Sequence, residues 1–219
     1  MHWDSVIEYM PFLLKGIWVT LQISVGALLL SIPAALLWAG CKLSGIALVA
    51  KPVSWMINVV RGTPMIVLLF YFYFVAPDMG IALSSMQAAI IGLAFAYSAY
   101  ISEIFRAGIE AVDTGQMEAA RSIGMSRAKA MRRVVLPQAF RISLPPLANN
   151  LVMLVKDSAL ASTIAVTEMT RQGQLIAAAT FDNTTVYTLV ALLYLALTLP
   201  MMQVTKYLEQ RLGKHRGAA

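Results

Sequence analysis

Three long stretches of this sequence contain no charged residue, and they limit the possible folds more than any other feature. They cover residues 16–41, 79–102 and 183–205. Each is longer than the roughly 18 to 20 residues that a helix needs to cross the hydrocarbon core of a membrane. Charged residues make up 13% of the chain, whereas a soluble domain has about 25%. The sequence therefore predicts an all-α integral membrane protein.

Two further membrane spans are predicted from shorter uncharged stretches. Residues 62–77 reach crossing length together with the apolar stretch before them, which places Arg61 near one end. Residues 142–166 cross only if Lys156 and Asp157 enter the membrane. The prediction is a single transmembrane domain over residues 1–219 with five spans. They are residues 12–40, 53–77, 84–109, 142–166 and 184–206.

The distribution of basic residues predicts the orientation. With the N-terminus outside and the C-terminus in the cytoplasm, fourteen of the seventeen Lys and Arg residues flank the spans on the inner side. This distribution explains the net charge of +6 by topology, so no nucleic-acid partner is predicted. The acidic start MHWDSVIEYMPF lacks the features of a signal peptide, so the first span is expected to remain. The single cysteine, Cys41, excludes an internal disulfide, and no metal site is predicted.

The inner segment 114–137 is polar and helix-forming within an otherwise apolar chain. Thr114 is expected to cap a first helix, and Gly124 to end it in the left-handed conformation. Ser126 is expected to cap a second, amphipathic helix that Pro137 limits. An interfacial helix on anionic lipid would explain the basic residues of this segment. It would not explain the Glu-Ala-Ala start or the glycine, so docking of a cytoplasmic partner is the favoured interpretation.

The same residues resemble a known family. Glu-Ala-Ala at 118–120, Gly124, Val134 and Leu136-Pro137 have the spacing of the EAA motif of ATP-binding-cassette importer permeases, with valine in place of the usual isoleucine. Further stretches resemble the polar amino acid uptake subfamily, which includes histidine-, glutamine- and arginine-type permeases. They are KGIWVTLQIS at 15–24, RGTPMIVLLF at 61–70, AYISEIFRAGIEAVDTGQ at 99–116, LPQAFRISLPPLANN at 136–150 and LVKDSALAS at 154–162.

The resemblance implies partners and a coupling site. It implies that the inner segment is a coupling helix inserted into a groove of an ATPase subunit. The implied contact residues are Glu118, Ala119, Ala120 and Gly124, with Arg127 at their flank. The chain has no GxxxxGK[ST] phosphate loop, so no cofactor is expected on it, and ATP and magnesium would bind the partner ATPase dimer. An extracytoplasmic amino acid-binding protein, a second permease copy and a lipid environment in the bacterial inner membrane are also implied.

The ionisable residues inside the predicted spans need a physical reason. A charge at the membrane centre costs about 2.5–3.5 kcal/mol on insertion scales. One interpretation is an ion pair between spans that holds the bundle together. The other is a substrate site of the size of a zwitterion, in which two carboxylates receive an ammonium group and hydroxyls supply hydrogen bonds. The candidate substrate-binding residues are Glu103, Asp157, Tyr100, Ser158, Ser162, Thr163 and Lys156, and the role of the lysine stays open.

Two proline-containing sites are candidate gates or walls of a pathway. One is Pro145-Pro146 in the fourth span, and the other is Gly62-Thr63-Pro64 in the second. Proline frees backbone carbonyls, which are tolerated in a membrane only against protein or water. A plain kink is the alternative at both sites.

Three functional classes were compared. A stand-alone channel or ion-coupled carrier usually has more spans and repeated halves, which the sequence lacks. An intramembrane enzyme is disfavoured because the chain has no HExxH or GxSxG motif and no histidine within a span. The favoured interpretation is therefore a non-enzymatic permease subunit of an ATP-driven importer. It would move a polar or basic L-amino acid into the cytoplasm by alternating access.

Overall fold

Helices joined by short turns account for nearly all of the residues that the structure, a computed structural model, describes, namely residues 3–213. Within that range there is no strand. The α-helices are α1 (Trp3–Leu43), α2 (Ala47–Gly62), α3 (Met65–Phe70), α4 (Ser85–Glu110), α5 (Thr114–Ser122), α6 (Arg127–Ala130), α7 (Leu136–Asp157), α8 (Met169–Thr180) and α9 (Asn183–Gly213). Two π-helical segments (Tyr71–Val75 and Met131–Val135) and two 3-10 segments (Ala76–Met79 and Ser158–Ile164) extend them.

Three helices are long and apolar enough to cross a membrane, namely α1, α4 and α9. The predicted number of five is reached only if each of two bent pairs of helices counts as one span. Residues 47–62 and 65–79 form the first pair, with a bend of 106°. Residues 127–164 and 169–180 form the second, with a bend of 49°. The predicted second span is therefore a broken one.

The core of the bundle lies where α1 crosses α4. The buried residues of this region are mostly small or aliphatic, for example Ile23 and Ala27 of α1 and Ala89 and Leu93 of α4. Small side chains let two helix backbones approach closely, which is how helices associate when water is absent. The closest approach to another backbone involves Gly16 of α1, where an added Cβ atom would lie 2.6 Å from the Cα atom of Met169 in α8. Because α4 is held on one face by α1, its other face is available to the site.

Helix α8 was not predicted, since residues 167–183 were expected to form a short outer loop. A buried carboxylate accounts for the helix. The Glu168 side chain accepts hydrogen bonds from the backbone N–H groups of Thr170 at 2.8 Å and Arg171 at 2.7 Å. The Tyr194 hydroxyl of α9 donates a third, at 3.0 Å. A carboxylate that satisfies the free N–H groups of a helix start stabilises that start, and here it also joins α8 to α9.

Candidate functional site

A cavity of about 990 Å³ opens at the end of the bundle that carries α5 and α6. It lies between α4, α7 and the last turns of α9, and its volume falls within the range of roughly 300–1,000 Å³ found for small-molecule sites. Its lining is mixed, with apolar residues beside polar and charged ones. The polar and charged lining residues are Arg61, Tyr100, Glu103, Asp113, Gln138, Arg141, Asn150 and Glu209. A solute with both charged and apolar parts fits this lining.

Glu103 lies at the inner wall of the cavity and is already bonded on both oxygens. The ammonium group of Lys42, from α1, donates to Oε1. The guanidinium group of Arg106, one turn further along α4, donates to Oε2 at 2.9 and 3.1 Å and also bonds Glu110. The Glu103 side chain is 17% exposed, so this ion pair between α1 and α4 is largely removed from solvent. An ion pair between helices therefore exists, but its lysine is Lys42 and not Lys156, the intramembrane lysine considered from the sequence.

Glu103→Gln tests how far this pair supports the fold. We expect the free energy of unfolding to fall by about 1 to 3 kcal/mol, because breaking a fully buried pair costs about 3–5 kcal/mol and this pair is partly solvated. Glu110→Gln is the matched control, since its side chain is 53% exposed and bonds the same arginine, and we expect a change below about 0.5 kcal/mol. Thermal unfolding in detergent measures both. Equal effects would contradict a structural role for Glu103.

Asp157 forms a second polar group, which is not part of the cavity lining but adjoins it through Tyr97, whose ring centroid lies 6.3 Å from that of Tyr100. Its Oδ2 atom accepts a hydrogen bond from the hydroxyl of Tyr97 at 2.7 Å, and Tyr97 is 2% exposed. Within residues 3–213, no cation lies within ion-pair distance of Asp157. Tyr97 was not among the predicted binding residues. Tyr97 and Asp157 are 60 positions apart, so no local signal in the sequence links them.

The predicted hydroxyls near Asp157 are mostly used within their own helix. Ser158 Oγ donates to the Val155 carbonyl at 2.8 Å and is buried. Thr163 Oγ1 donates to the Leu160 carbonyl at 2.6 Å and is exposed. Ser162 is 6% exposed. The predicted substrate-binding set is thus divided, because only Tyr100 and Glu103 line the cavity, together with the candidate gate residues Pro145 and Pro146.

One exposed face of α7 and the 3-10 segment after it is polar. Asn149, Lys156 and Thr163 follow one another at intervals of seven residues and are all exposed in the single chain. Asn149 and Lys156 lie on nearly the same side of α7, because residues seven apart do so in an α-helix. Thr163 follows in the 3-10 segment, whose turns are tighter. Among the described residues, no carboxylate lies within ion-pair distance of Lys156. A face with an ammonium, an amide and a hydroxyl group is unsuited to lipid tails.

The break between α2 and α3 connects to the cavity. The predicted triplet Gly62-Thr63-Pro64 forms this break, and Thr63 has an extended backbone with ψ 135°. The last turn of α2 places the guanidinium group of Arg61 over the ring of Tyr100, 5.7 Å from its centroid. The hydroxyl of Tyr100 is 3.4 Å from the backbone oxygen of Arg61 and donates to it. The bend is therefore fixed to α4 beside the cavity.

In the predicted coupling segment, the structure confirms the turn and corrects both ends. Gly124 has a φ of +85° and Ser126 caps α6 at the Lys129 N–H, as expected. The cap of α5 is Asp113, whose carboxylate accepts from the Gly115 N–H at 2.7 Å, and not Thr114. Pro137 does not end the helix, because a π-helical segment precedes it and places it in the first turn of α7, where its missing N–H is not needed.

The exposed surface of this segment includes most of the predicted contact residues. Glu118, Ala119, Gly124 and Arg127 are exposed, whereas Ala120 is 5% exposed and packs inside the segment. Ile123, which was not predicted, is 75% exposed beside the Gly124 turn. Ile123 therefore offers an apolar group to any protein that docks on this segment. Its position one residue before the EAA-motif glycine is the signal that could have identified it.

A side-chain hydrogen bond joins the predicted coupling segment, residues 114–137, to the wall of the cavity. Gln138, which lines the cavity, donates to the Gln116 side chain of α5 at 3.3 Å. An apolar cluster built on Val112, Val135 and Ala139 fills the space beneath this bond. Movement of α5 must therefore displace α7 or break these contacts.

Comparison with known proteins gives one family. The family model described as "Binding-protein-dependent transport system inner membrane component" matches residues 27–214. The probable amino-acid ABC transporter permease protein YckA of Bacillus subtilis (strain 168) is 42% identical, with 87% of this chain and 84% of the relative covered. The probable glutamine ABC transporter permease protein GlnM of the same organism is 38% identical, with 98% and 99% covered.

A solved structure has the same fold. The crystal structure of an amino acid ABC transporter with histidines superposes with a TM-score of 0.91 at 36% identity. The match covers 96% of this chain and 99% of the chain in that structure. The bent helix pairs and α8 therefore lie within an architecture that has been observed experimentally.

Proposed function

Since this chain belongs to the family of binding-protein-dependent transport system inner membrane components, we propose that it is the membrane subunit of an importer that moves a polar or basic L-amino acid into the cell. It is an inner membrane component of an ATP-binding-cassette transporter, and its relatives are amino acid permeases. The observation that carries the proposal is the hydrogen bond between the coupling segment and the wall of a cavity large enough to hold an amino acid. In an energised permease, movement of the segment that contacts the ATPase must also move the wall of the substrate cavity.

The energy for transport is proposed to come from a separate ATPase. The sequence has no phosphate loop, while α5 and α6 present an exposed, mostly polar surface with Ile123 at its tip. We propose that Glu118, Ala119, Gly124 and Arg127 contact that ATPase and that Ala120 supports them from inside. Closure of two ATPases on ATP would then shift α5, and through Gln138 the wall of the cavity, in alternating access.

A second permease copy is proposed to cover the polar face of α7. Asn149, Lys156 and Thr163 are exposed in the single chain and unsuited to lipid. With a second copy against them, these groups line an aqueous pathway between the two chains. Ser158 and Ser162 are close in sequence to Lys156 and Thr163. In this arrangement an extracytoplasmic binding protein delivers the amino acid, and the break at Gly62-Thr63-Pro64 and the proline pair Pro145-Pro146 within α7 act as gates.

The two carboxylates are proposed to receive the cationic group of the amino acid in different ways. Asp157 holds a hydrogen bond from Tyr97 and no ion pair among the described residues, so one of its oxygens can accept an ammonium group directly. Glu103 is bonded by Lys42 and Arg106. A substrate ammonium group would therefore compete with these two residues for the carboxylate oxygens of Glu103.

Asp157→Asn is the variant that tests the substrate site. We expect ATP-dependent uptake in proteoliposomes to fall about tenfold or more, because an amide keeps the bond to Tyr97 but removes the negative charge that attracts an ammonium group. Co-purification of the ATPase should be unchanged. Asp78→Asn is the control, since Asp78 is an exposed carboxylate in the 3-10 segment before α4.

Two results would contradict the proposal. Uptake by Asp157→Asn at the level of Asp78→Asn would remove Asp157 from the substrate site. Uptake by the purified chain in the absence of an ATPase would indicate a channel or an ion-coupled carrier in place of an importer subunit.

A further inference from the structure

Within the ion-pair cluster at the inner wall of the cavity, cations outnumber carboxylates, whereas the cavity lining as a whole also contains Arg141, Asp113 and Glu209. Three cations, Lys42, Arg61 and Arg106, surround two carboxylates, Glu103 and Glu110. Lys42 and Arg106 donate hydrogen bonds that occupy both oxygens of Glu103, and Arg106 also bonds Glu110. The cluster therefore has one positive charge in excess, in a partly enclosed place where a charge is screened less than at an open surface.

The excess charge belongs to Arg61. Its Nη1 atom lies 4.0 Å from Oε2 of Glu103, too far for a hydrogen bond. No other described residue accepts a hydrogen bond from the guanidinium group, and the side chain is 41% exposed and lines the cavity. The guanidinium is nevertheless held in place, because it lies over the ring of Tyr100. The backbone of Arg61, in the last turn of α2, is also hydrogen-bonded to the Tyr100 hydroxyl of α4. A positioned guanidinium without a hydrogen-bonded partner is suited to binding an anion.

We infer that Arg61 binds the α-carboxylate of the transported amino acid in the cavity. A planar guanidinium matches a carboxylate with two parallel hydrogen bonds, which gives orientation as well as affinity. The inference rests on the proposed function and adds to it the recognition of the substrate's acidic group. It also explains why Glu103 is bonded elsewhere, because a Glu103 carboxylate paired with Arg61 would compete with the substrate.

Arg141 is the other arginine in the cavity, and the structure favours Arg61 over it. Arg141 is exposed on α7 and takes part in no ion pair, cation–π contact or side-chain hydrogen bond among the described residues. An arginine that is free to rotate loses more side-chain entropy on binding than one held over an aromatic ring. The carboxylate is therefore assigned to Arg61.

The test measures recognition of the carboxylate itself. The full-length chain is purified with its co-expressed ATPase, and the affinities of L-arginine, L-glutamine and L-histidine are compared with those of their carboxamides. For the amino acid that binds, we expect the acid to bind the wild type at least about tenfold more tightly than its amide. In Arg61→Gln this ratio should fall to about two or less, and in Arg61→Lys, which keeps the charge but not the fork, to an intermediate value.

Controls separate the inference from the fold and from the proposed function. Lys51→Gln removes a cation from the same helix outside the cavity and should keep the wild-type ratio. A wild-type ratio in Arg61→Gln, or loss of the ratio in Arg141→Gln alone, overturns the inference while leaving the proposed function in place. If the wild type binds none of the three amino acids, the proposed function fails and the inference fails with it. If Arg61→Gln cannot be purified, the ratio of acid to amide affinity in Arg61→Lys tests the inference instead.

Discussion

Ile123→Asp is expected to lower ATP-driven uptake about thirtyfold, because an apolar side chain at the centre of a protein contact contributes about 2 kcal/mol or more. Ile123 is 75% exposed, so the carboxylate introduced by the substitution would lie against the apolar surface of the ATPase that contacts this side chain. The loss should arise from weaker association of the ATPase, measured as the amount that co-purifies with the membrane subunit. The fold should be unaffected, since the residue makes few contacts within the chain.

Ile81→Asp is the matched control for this variant. Ile81 is 54% exposed and follows Gly80, whose φ of +82° resembles the +85° of Gly124 beside Ile123. The two substitutions therefore place the same charge on similar exposed turns outside and inside the coupling segment. Normal ATPase association in Ile123→Asp, or an equal loss in Ile81→Asp, would exclude Ile123 from the docking contact.

Gly16→Ala is expected to destabilise the bundle by about 1–3 kcal/mol, the usual cost of overpacking. An added Cβ atom would lie 2.6 Å from Cα and 2.9 Å from the backbone nitrogen of Met169. Backbone atoms cannot move aside as a flexible side chain does, so α1 and α8 must separate. Separation also breaks the bond of 3.3 Å that the Met169 N–H donates to the Thr20 hydroxyl. The midpoint of thermal unfolding in detergent measures the effect.

Gly40→Ala separates this packing effect from helix propensity. Gly40 lies on the same helix, is exposed and has no atom within 4 Å of an added Cβ. Alanine is a better helix former than glycine by about 0.5–1 kcal/mol, so this variant should be as stable as the wild type or slightly more stable. A lower midpoint of thermal unfolding in both variants would show that any alanine in α1 destabilises the protein, and that the contact with α8 is not the cause.

The parts of the fold that depend on local sequence were predictable. The spans α1, α4 and α9 follow from uncharged runs, because only a helix satisfies its own backbone in lipid over that length. The turn at Gly124 and the cap at Ser126 follow from the conformational preferences of those residues. The broken second span was only partly predictable, since Gly62-Thr63-Pro64 indicates a disturbance but its angle of 106° depends on packing against α4.

The parts that depend on distant residues were not predictable. Lys42 and Glu103 are 61 positions apart, and nothing local indicates that they meet. Helix α8 begins at a carboxylate whose third hydrogen bond comes from Tyr194, 26 residues later. Asp113 competed with Thr114 for the cap of α5, and the two differ by a single position, which sequence preference does not resolve. In the candidate site, Glu103 and Asp157 were singled out as charged residues in apolar stretches, but their partners Lys42 and Tyr97 were not predicted.

Residues 127–164 form one uninterrupted helical segment, from the cap at Ser126 to the end of the 3-10 segment. At about 1.5 Å per residue, its 38 residues give a segment more than 50 Å long. A tilt of about 10° around its midpoint moves both ends by about 5 Å in opposite directions, given that length. In the proposed importer, a displacement at the basic end would therefore also move Lys156 and Thr163, through the helical segment that joins them.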